Sequence, residues 1–272
     1  FPIAHEAGGN MDRGLVLDWF EEVLHTDATK IFHNAMYDVS WIRALGFYIR
    51  GGIIDTMIAA SLVNENRFSF TLDSISKEYI GMGKNEKTLA EAAKSWGVNP
   101  KADMWRLPAP LVGEYAERDA EVTLKLWQAM KHEITQQDLW DIFNLETSLF
   151  PCLVDMKFKG VRVDIDRAEV LKKDLNKQEK IIHEKIEKLS GFPIEIYAAT
   201  SIAKAFDKLK IPYDRTDKGA PSFTKNFLAT HPAELPKLIN DAREMNKASS
   251  TFIDTILKHE HNGRIHSDIN QI

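Results

Sequence analysis

Two short runs carry side chains whose types and spacing could do chemistry. The first is His33-Asn34-Ala35-Met36-Tyr37-Asp38, which follows the apolar pair Ile31-Phe32 and precedes a helical run over 39–45. That layout predicts a strand end delivering polar side chains into the start of a helix. A carboxylate there lies near helix-terminal N–H groups and could serve a metal or phosphate site. Asx residues in the same place also cap helices structurally. The second run is Tyr115-Ala-Glu-Arg-Asp119, inside a long helical pattern. Its i,i+4 spacing puts a phenol and a carboxylate on one helix face, where they could orient a metal-bound water. The plainer alternative is a partly buried tyrosine with a solvated aspartate.

The elements that must position these runs read as alternating strands and helices. Residues 1–5 are extended in character, 15–24 helical, and 30–32 a short buried strand. Ile53-Ile54 forms another short strand and leads into Asp55-Thr56 and a helix over 57–63. Two strands thus end near an aspartate and feed helices, which is α/β grammar, and open sheets carry sites beyond strand carboxyl ends. Leu72, Ile75 and Tyr79 mark one face of a further helix, and 89–96 another that Gly97 ends. The helix carrying Tyr115 and Asp119 shows its apolar face through Leu111, Tyr115, Ala116, Val122, Leu124 and Leu126.

Composition shifts near Thr135-Gln136-Gln137, and the remainder is mostly helical. Leu145, Leu149, Phe150, Leu153 and Met156 make an apolar helical stripe. A long charged helix from Asp166 reads as a protruding, solvated element. Thr200 or Ser201 is available to cap the next helix. Residues 215–222 form a polar loop, and a long helix runs from about 242 to 258. On it, Arg243 and Lys247 stand i,i+4 and could meet adjacent phosphates, with Arg215, Lys218 and Lys225 as further cations nearby. A solvated helix surface is the alternative.

The 272 residues suffice for one large domain or two ordinary ones, and a 44% hydrophobic content implies a sizeable core. A net charge of -5 excludes a strongly cationic protein but not a local basic face. The single cysteine, Cys152, reads as a buried thiol, rules out an intrachain disulfide and suits a reducing compartment. No apolar run approaches membrane-spanning length. His33, His183, His231 and His266 share no metal spacing; Trp41, Trp105 and Trp127 read mainly as core, with aromatic stacking against a primer end as an unassigned alternative, and Phe68 and Phe70 read as core or strand packing.

Taken together, these segments resemble a family A DNA polymerase of bacterial or bacteriophage type, almost end to end. Residues 1–134 resemble its 3′–5′ proofreading exonuclease domain, an RNase H-like α/β fold of the DEDD class. Residues 135–272 resemble the mainly helical connection into the polymerase and its thumb, ending before the palm. Asn34 and Asp38 match the second exonuclease motif, and Tyr115 and Asp119 the third. Beyond them, Glu146, Pro151, Leu153, Met156, Gly160, Val161 and Asp164 resemble the entry into the polymerase region. Thr216, Gly219, Pro221 and Ser222 resemble the loop before the later thumb helices, and Arg243, Lys247 and Thr251 the helix that follows the duplex. Gly263-Arg-Ile-His266 and Asn270-Gln271 resemble the thumb-to-palm crossing.

The resemblance implies two divalent cations, Mg²⁺ or Mn²⁺, held by four carboxylates. Asp38 and Asp119 would hold them, Tyr115 would orient the attacking water, and Asn34 would position the single-stranded 3′ end. Asp55 would support. Arg243, Lys247 and Thr251 would contact a primer–template duplex, in the cytoplasm of a bacterial or phage-infected cell with no membrane partner. One departure matters. The first motif, Asp-x-Glu on the first strand, has no convincing counterpart among Glu6, Asp12, Asp18 and Glu21. It is expected upstream of Phe1, and the palm carboxylates after Ile272. The chain as given is therefore expected to be catalytically incomplete. Its alternatives are a subunit of a split polymerase, completed by another chain, or a non-catalytic DNA-binding accessory protein.

Overall fold

A computed structural model of the chain describes residues 1–83 and 86–271, so Ile272, the last residue of the expected second domain, lies outside the described residues. The backbone separates into two compact units: residues 1–158 with 268–271 (Ile272 set aside), and residues 159–267.

The first unit opens with an irregular segment where the sequence suggests extended backbone; residues 1–5 form no strand. Asp12 caps α1 (Arg13–Leu24) by accepting the Leu15 N–H at 2.9 Å. Then come β1 (Lys30–Phe32), α2 (Ala35–Ala44), β2 (Ile53–Asp55) and α3 (Thr56–Val63). β1 and β2 are parallel, Lys30 facing Ile53 and Phe32 facing Asp55, with α2 as the crossover. The turn into β2 needs Gly51: its φ is +80°, and a Cβ there would stand 2.7 Å from the Ala28 carbonyl oxygen. Both strands are only half-buried, and β1 pairs with β2 alone among the described residues. Only β2 ends at an aspartate, since Asp38 lies a full turn inside α2.

α4 (Leu72–Ile80), α5 (Lys87–Trp96), a 3₁₀ turn at Met104–Arg106, α6 (Ala109–Gln136) and α7 (Trp140–Lys159) complete this unit. The main core joins Ala59 and Ala60 of α3, Leu72 and Ile75 of α4, Val122, Leu126, Met130 and Ile134 of α6, and Phe143 of α7. Each such large side chain withdrawn from water contributes about 1.5–3 kcal/mol. Leu124 and Ala116 fall outside this face, on the exposed side of α6. α7 is apolar on both sides. It buries Phe143, Phe150 and Val154 and leaves Leu145, Leu149 and Met156 exposed, the reverse of most of the expected stripe. Phe150 and Val154 pack on Ala35 and Val39 of α2, and Arg43 is ion-paired to Asp155 and stands over the Phe158 ring at 4.6 Å. These contacts carry the first unit past residue 134. Cys152 is exposed, not buried, as are Trp41 and Trp105, each on the solvent side of its element, and Phe68, in the loop between α3 and α4. Trp127 does pack, stacked on Phe143 at 5.5 Å.

The second unit comprises β3 (Val161–Arg162), α8 (Ile165–Ser190), α9 (Ala199–Leu209), β4 (Asp214–Arg215), β5 (Pro221–Ser222), α10 (Lys225–Thr230) and α11 (Glu234–Asn246). A π-helical stretch (Lys247–Ile253), α12 (Asp254–His259), β6 (Glu260–His261) and β7 (Arg264–Ile265) follow. Gly160 (φ +67°) admits the close approach of the Ile265 carbonyl oxygen, 2.7 Å from where a Cβ would stand, as β3 pairs antiparallel with β7. α8 does not protrude alone; it lies along α11 and the π-helix, fixed by Asn246 to Glu179 (3.0 Å), Ser249 to Asn176 (2.7 Å) and Lys172 to Asp254 (2.6 Å). α9 starts before Thr200 and has no side-chain cap; Ser201 instead accepts the Glu195 N–H at 3.0 Å. The expected polar loop at 215–222 is the short β4–β5 hairpin. The core here centres on Phe206, Ile202, Leu228, Leu235 and Ile239.

Candidate active site

The polar cluster of the first unit is organised by Asp55. Its buried carboxylate accepts the N–H groups of Asn34 (3.0 Å), Ala35 (2.7 Å) and Met57 (2.8 Å), so one side chain satisfies the amino-terminal donors of both α2 and α3. Asn34 occupies the N-cap position of α2 in the left-handed region, φ 65°, and makes no side-chain cap. The capping alternative therefore falls to Asp55, which supports the motif and does not line the cavity described below. His33 is pinned from both ring nitrogens, 2.9 Å to Thr56 Oγ1 and 3.0 Å to the Phe70 carbonyl oxygen, and this ties the motif to the segment before α4.

On the outer side of α2, Asn34, Tyr37, Asp38 and Trp41 occupy positions i, i+3, i+4 and i+7, which is a single helix face. All four line a cavity of about 1680 Å³ whose lining also includes Asp119, Thr123 and Leu124 of α6, the lysines Lys77, Lys87 and Lys101, and the acidic Asp73 and Glu86; Lys77 is paired to Asp73 at 2.6 Å. The Asp38 side chain is exposed to this cavity, with protein crowding it on the helix side. Burial pushes its pKa from 3.8 up to about 6, against its own backbone hydrogen bond and with the nearby Asp55 charge adding to the rise. Asn34, Asp38 and Asp119 thus share one concave surface. Tyr115, one turn before Asp119, packs with Leu89, Leu107 and Val112 and is not among the residues lining the cavity.

Oxygen donors of this kind suit hard divalent cations. In number they fall short, because no cluster of three or more acidic, His or Cys side chains able to hold a metal is found among the described residues. The residues fit such a cation in kind and not in count.

In the second unit the predicted cations are mostly committed. Arg243 turns inward and donates from Nε to the Ile196 carbonyl oxygen (2.7 Å) and from Nη1 to that of Phe223 (2.9 Å), with its guanidinium 5.6 Å from the Tyr197 ring. Burial lowers its pKa. This corrects the expectation of a phosphate-facing side chain: the i,i+4 spacing to Lys247 is present, but Arg243 clamps the core. Lys247 and Thr251 are exposed on the π-helical stretch. Arg215 donates to the Gly219 carbonyl oxygen (2.9 Å) and to the Tyr213 hydroxyl (3.2 Å), and Lys225 is paired to Glu244 (3.0 Å). Lys218 is exposed in the β4–β5 turn.

Comparison with protein-family models matches residues 4–135 to the 3′–5′ exonuclease of DNA polymerase A. Those residues are similar to that exonuclease family. Along its whole length the chain is 32% identical to a DNA-directed DNA polymerase of Pseudomonas phage M6, and over 93% of its length 31% identical to the DNA polymerase DpoZ of Acinetobacter phage SH-Ab 15497. It is 26% identical over 99% of its length to DNA polymerase I of Pseudomonas aeruginosa. The chain spans 42%, 44% and 31% of those three relatives, less than half of each. Among solved structures, the Pol1 polymerase domain of M. smegmatis, determined with a DNA primer-template and dNTP, superposes with a TM-score of 0.73 at 20% identity, covering 96% of this chain and 43% of that one. That likeness shows a shared fold, and the exonuclease match lies within residues 4–135 of it.

Tyr37 lines the cavity without having been singled out from the sequence, and Trp41, taken mainly as core, lines it too. Their signal was present in the same helical spacing that relates Asn34 to Asp38, but an isolated aromatic reads as core until its face is known.

Proposed function

We propose that this chain is a portion of a DNA-directed DNA polymerase for DNA replication, in which residues 1–134 form a metal-dependent 3′–5′ proofreading exonuclease domain. Residues 135–272 form the connection and thumb. The carrying observation is that Asn34, Asp38 and Asp119, from two helices far apart in sequence, line one cavity whose lining also holds lysines.

Asp38 and Asp119 would hold Mg²⁺ or Mn²⁺, with the remaining ligands supplied by a strand bearing Asp-x-Glu. Bound cations would activate water and offset charge on the scissile phosphate. Within this chain, Asn34 positions the 3′-terminal nucleotide and Tyr115, adjoining Asp119 on α6, orients the attacking water. Lys87 and Lys101 draw the phosphodiester backbone toward the cavity, while Lys77 is held by Asp73 at 2.6 Å. In the second unit, exposed Lys247 and Thr251 face the primer–template duplex through phosphate contacts, Lys218 adds charge, and Arg243 fixes the helix that presents them. The setting is the cytoplasm of a bacterial or phage-infected cell; no described helix is long and apolar enough to cross a membrane.

Asp38 and Asp119 belong to no group of three or more side chains able to hold a metal among the described residues, so the 272-residue chain alone is expected to have negligible nuclease activity. β1, paired only with β2 among the described residues, leaves an edge on which a carboxylate-bearing strand could add. This favours a second reading, a split enzyme completed in trans. The test is nucleotide release from a single-stranded 3′ end, with and without such a strand supplied in cis or as a second chain. Activity that appears only on completion, and disappears in Asp38→Ala, supports the proposal. Completion that yields DNA binding and no Asp38-dependent release leaves the accessory, non-catalytic reading.

A further inference from the structure

Helix α2 begins without using its own best cap. Asparagine at an N-cap ordinarily adopts extended backbone and accepts an N–H of the first turn. Asn34 does neither: its backbone sits at φ 65°, ψ 55°, and its side chain makes no cap. The acceptor is Asp55 instead, from the end of β2, which takes the Asn34 and Ala35 N–H groups at 3.0 and 2.7 Å. On the other side of Asn34, the His33 ring is held at both nitrogens, by Thr56 Oγ1 at 2.9 Å and by the Phe70 carbonyl oxygen at 3.0 Å. A carbonyl only accepts, so Nε2 carries a proton. Thr56 is fully buried and its hydroxyl donates to the Phe32 carbonyl oxygen at 3.0 Å, which anchors the ring on the paired strands. A left-handed backbone is costly at any residue with a Cβ, and it persists only where the surroundings over-determine it.

We infer that His33 is a positioning residue for the nuclease reaction, acting through Asn34: with Asp55 it holds the left-handed turn that presents the Asn34 carboxamide to the cavity. Because Asp55 caps the helix, that carboxamide is released from the helix end and lines the cavity on the same face as Asp38, four residues on. It is uncharged and carries N–H donors, so beside Asp38 it offers a strand the donor that carboxylates cannot. His33 borders the cavity too, but both its ring nitrogens are engaged by protein groups, so its influence passes through the backbone it fixes. Asp55 serves two helix starts at once, whereas the His33 ring bears on one side of a single turn. This deepens the nuclease reading above and rests on it.

The test is single-turnover nucleotide release from a single-stranded 3′ end by the strand-completed protein, at saturating strand, so that rate and amplitude are read apart. His33→Phe, which keeps a ring and loses both hydrogen bonds, should lower the rate about tenfold, and Asn34→Ala at least as much. In the Asn34→Ala background His33→Phe should cost nothing further, because the effect travels through that side chain. His33→Gln, whose amide can still donate to the Phe70 carbonyl oxygen, should recover most of the rate. A loss of folding alone would lower the amplitude and leave the rate. If His33→Phe does not fold, Thr56→Val, which removes one of the two ring contacts, takes its place in the cycle. Urea unfolding of the 272-residue chain supplies a second measurement: Asn34→Ala should have a folding equilibrium about fivefold poorer than Asn34→Gly, which accepts the left-handed backbone. Losses that multiply in the double variant, an unchanged rate in folded His33→Phe, His33→Gln no better than His33→Phe, or Asn34→Ala as stable as Asn34→Gly each overturn the inference. Silence of the native strand-completed protein overturns the nuclease reading and this role with it. Release that depends on Asp38 and not on His33 overturns the positioning role alone.

Discussion

Asp38 and Arg243 are charged side chains drawn partly out of water, one in each compact unit, and their surroundings differ in kind. The Arg243 guanidinium has two of its donors on backbone carbonyls and an aromatic ring beside it. Asp38 faces an open cavity with its pKa pushed up to about 6 by burial, and the like charge of Asp55 adds to the rise. The first arrangement lowers the energy of the fold. The second raises the pKa of an exposed carboxylate, whose ionised form an incoming cation would favour. Asp55 shows that the contrast is one of surroundings and not of residue type: a few residues from the cavity, it is fully engaged by three amides.

The largest effect should come from breaking that engagement. Asp55→Ala leaves three helix-terminal N–H groups without their acceptor and should cost about 3 kcal/mol or more in urea unfolding. Arg243→Ala should follow at about 2 kcal/mol, with lost packing on Tyr197 adding to two lost hydrogen bonds. If Arg243→Ala instead leaves stability intact and abolishes duplex binding, the division between the two regions fails. Breaking the exposed Lys225–Glu244 pair should leave the midpoint unchanged.

A smaller, pH-dependent effect belongs to Asp38. Its folded-state pKa, about 6, lies above the ordinary 3.8, so between these values the folded chain binds more protons than the unfolded one. Raising the pH through this window should lower stability, with the loss complete above it, and Asp38→Asn should flatten the slope. Cations select the ionised form, so Mn²⁺ in a strand-completed protein should raise the thermal midpoint more above about pH 6 than below it. Smallest of all, Lys247→Ala should reduce the salt slope of duplex binding by about one without changing stability.

Much of the first unit was legible because its signals are local. Gly97 stops α5 in the left-handed region, Asp38 and Asp119 sit on helices that the spacing delimits, and Gly46 stops the helix that begins at the motif. What escaped depends on partners remote in sequence. The inward turn of Arg243 is decided by the carbonyls of Ile196 and Phe223, and the triple engagement of Asp55 by the amides of α2. α7 carries apolar residues on both sides, so periodicity alone could not say whether Phe143 and Val154 or Leu145 and Leu149 would be buried. The same limit hid Trp41.

The most direct test of the contrast is metal-dependent nucleotide release from a single-stranded 3′ end, measured on the chain alone and on the chain supplied with a carboxylate-bearing strand. The account predicts negligible release by the chain alone. It predicts release on completion that Asp38→Ala or Asp119→Ala reduces by about a thousandfold or more, while Lys225→Ala leaves it unchanged. Release by the 272-residue chain alone that either aspartate substitution abolishes would contradict the account's inventory of the site, and release on completion that survives both substitutions would contradict the site itself.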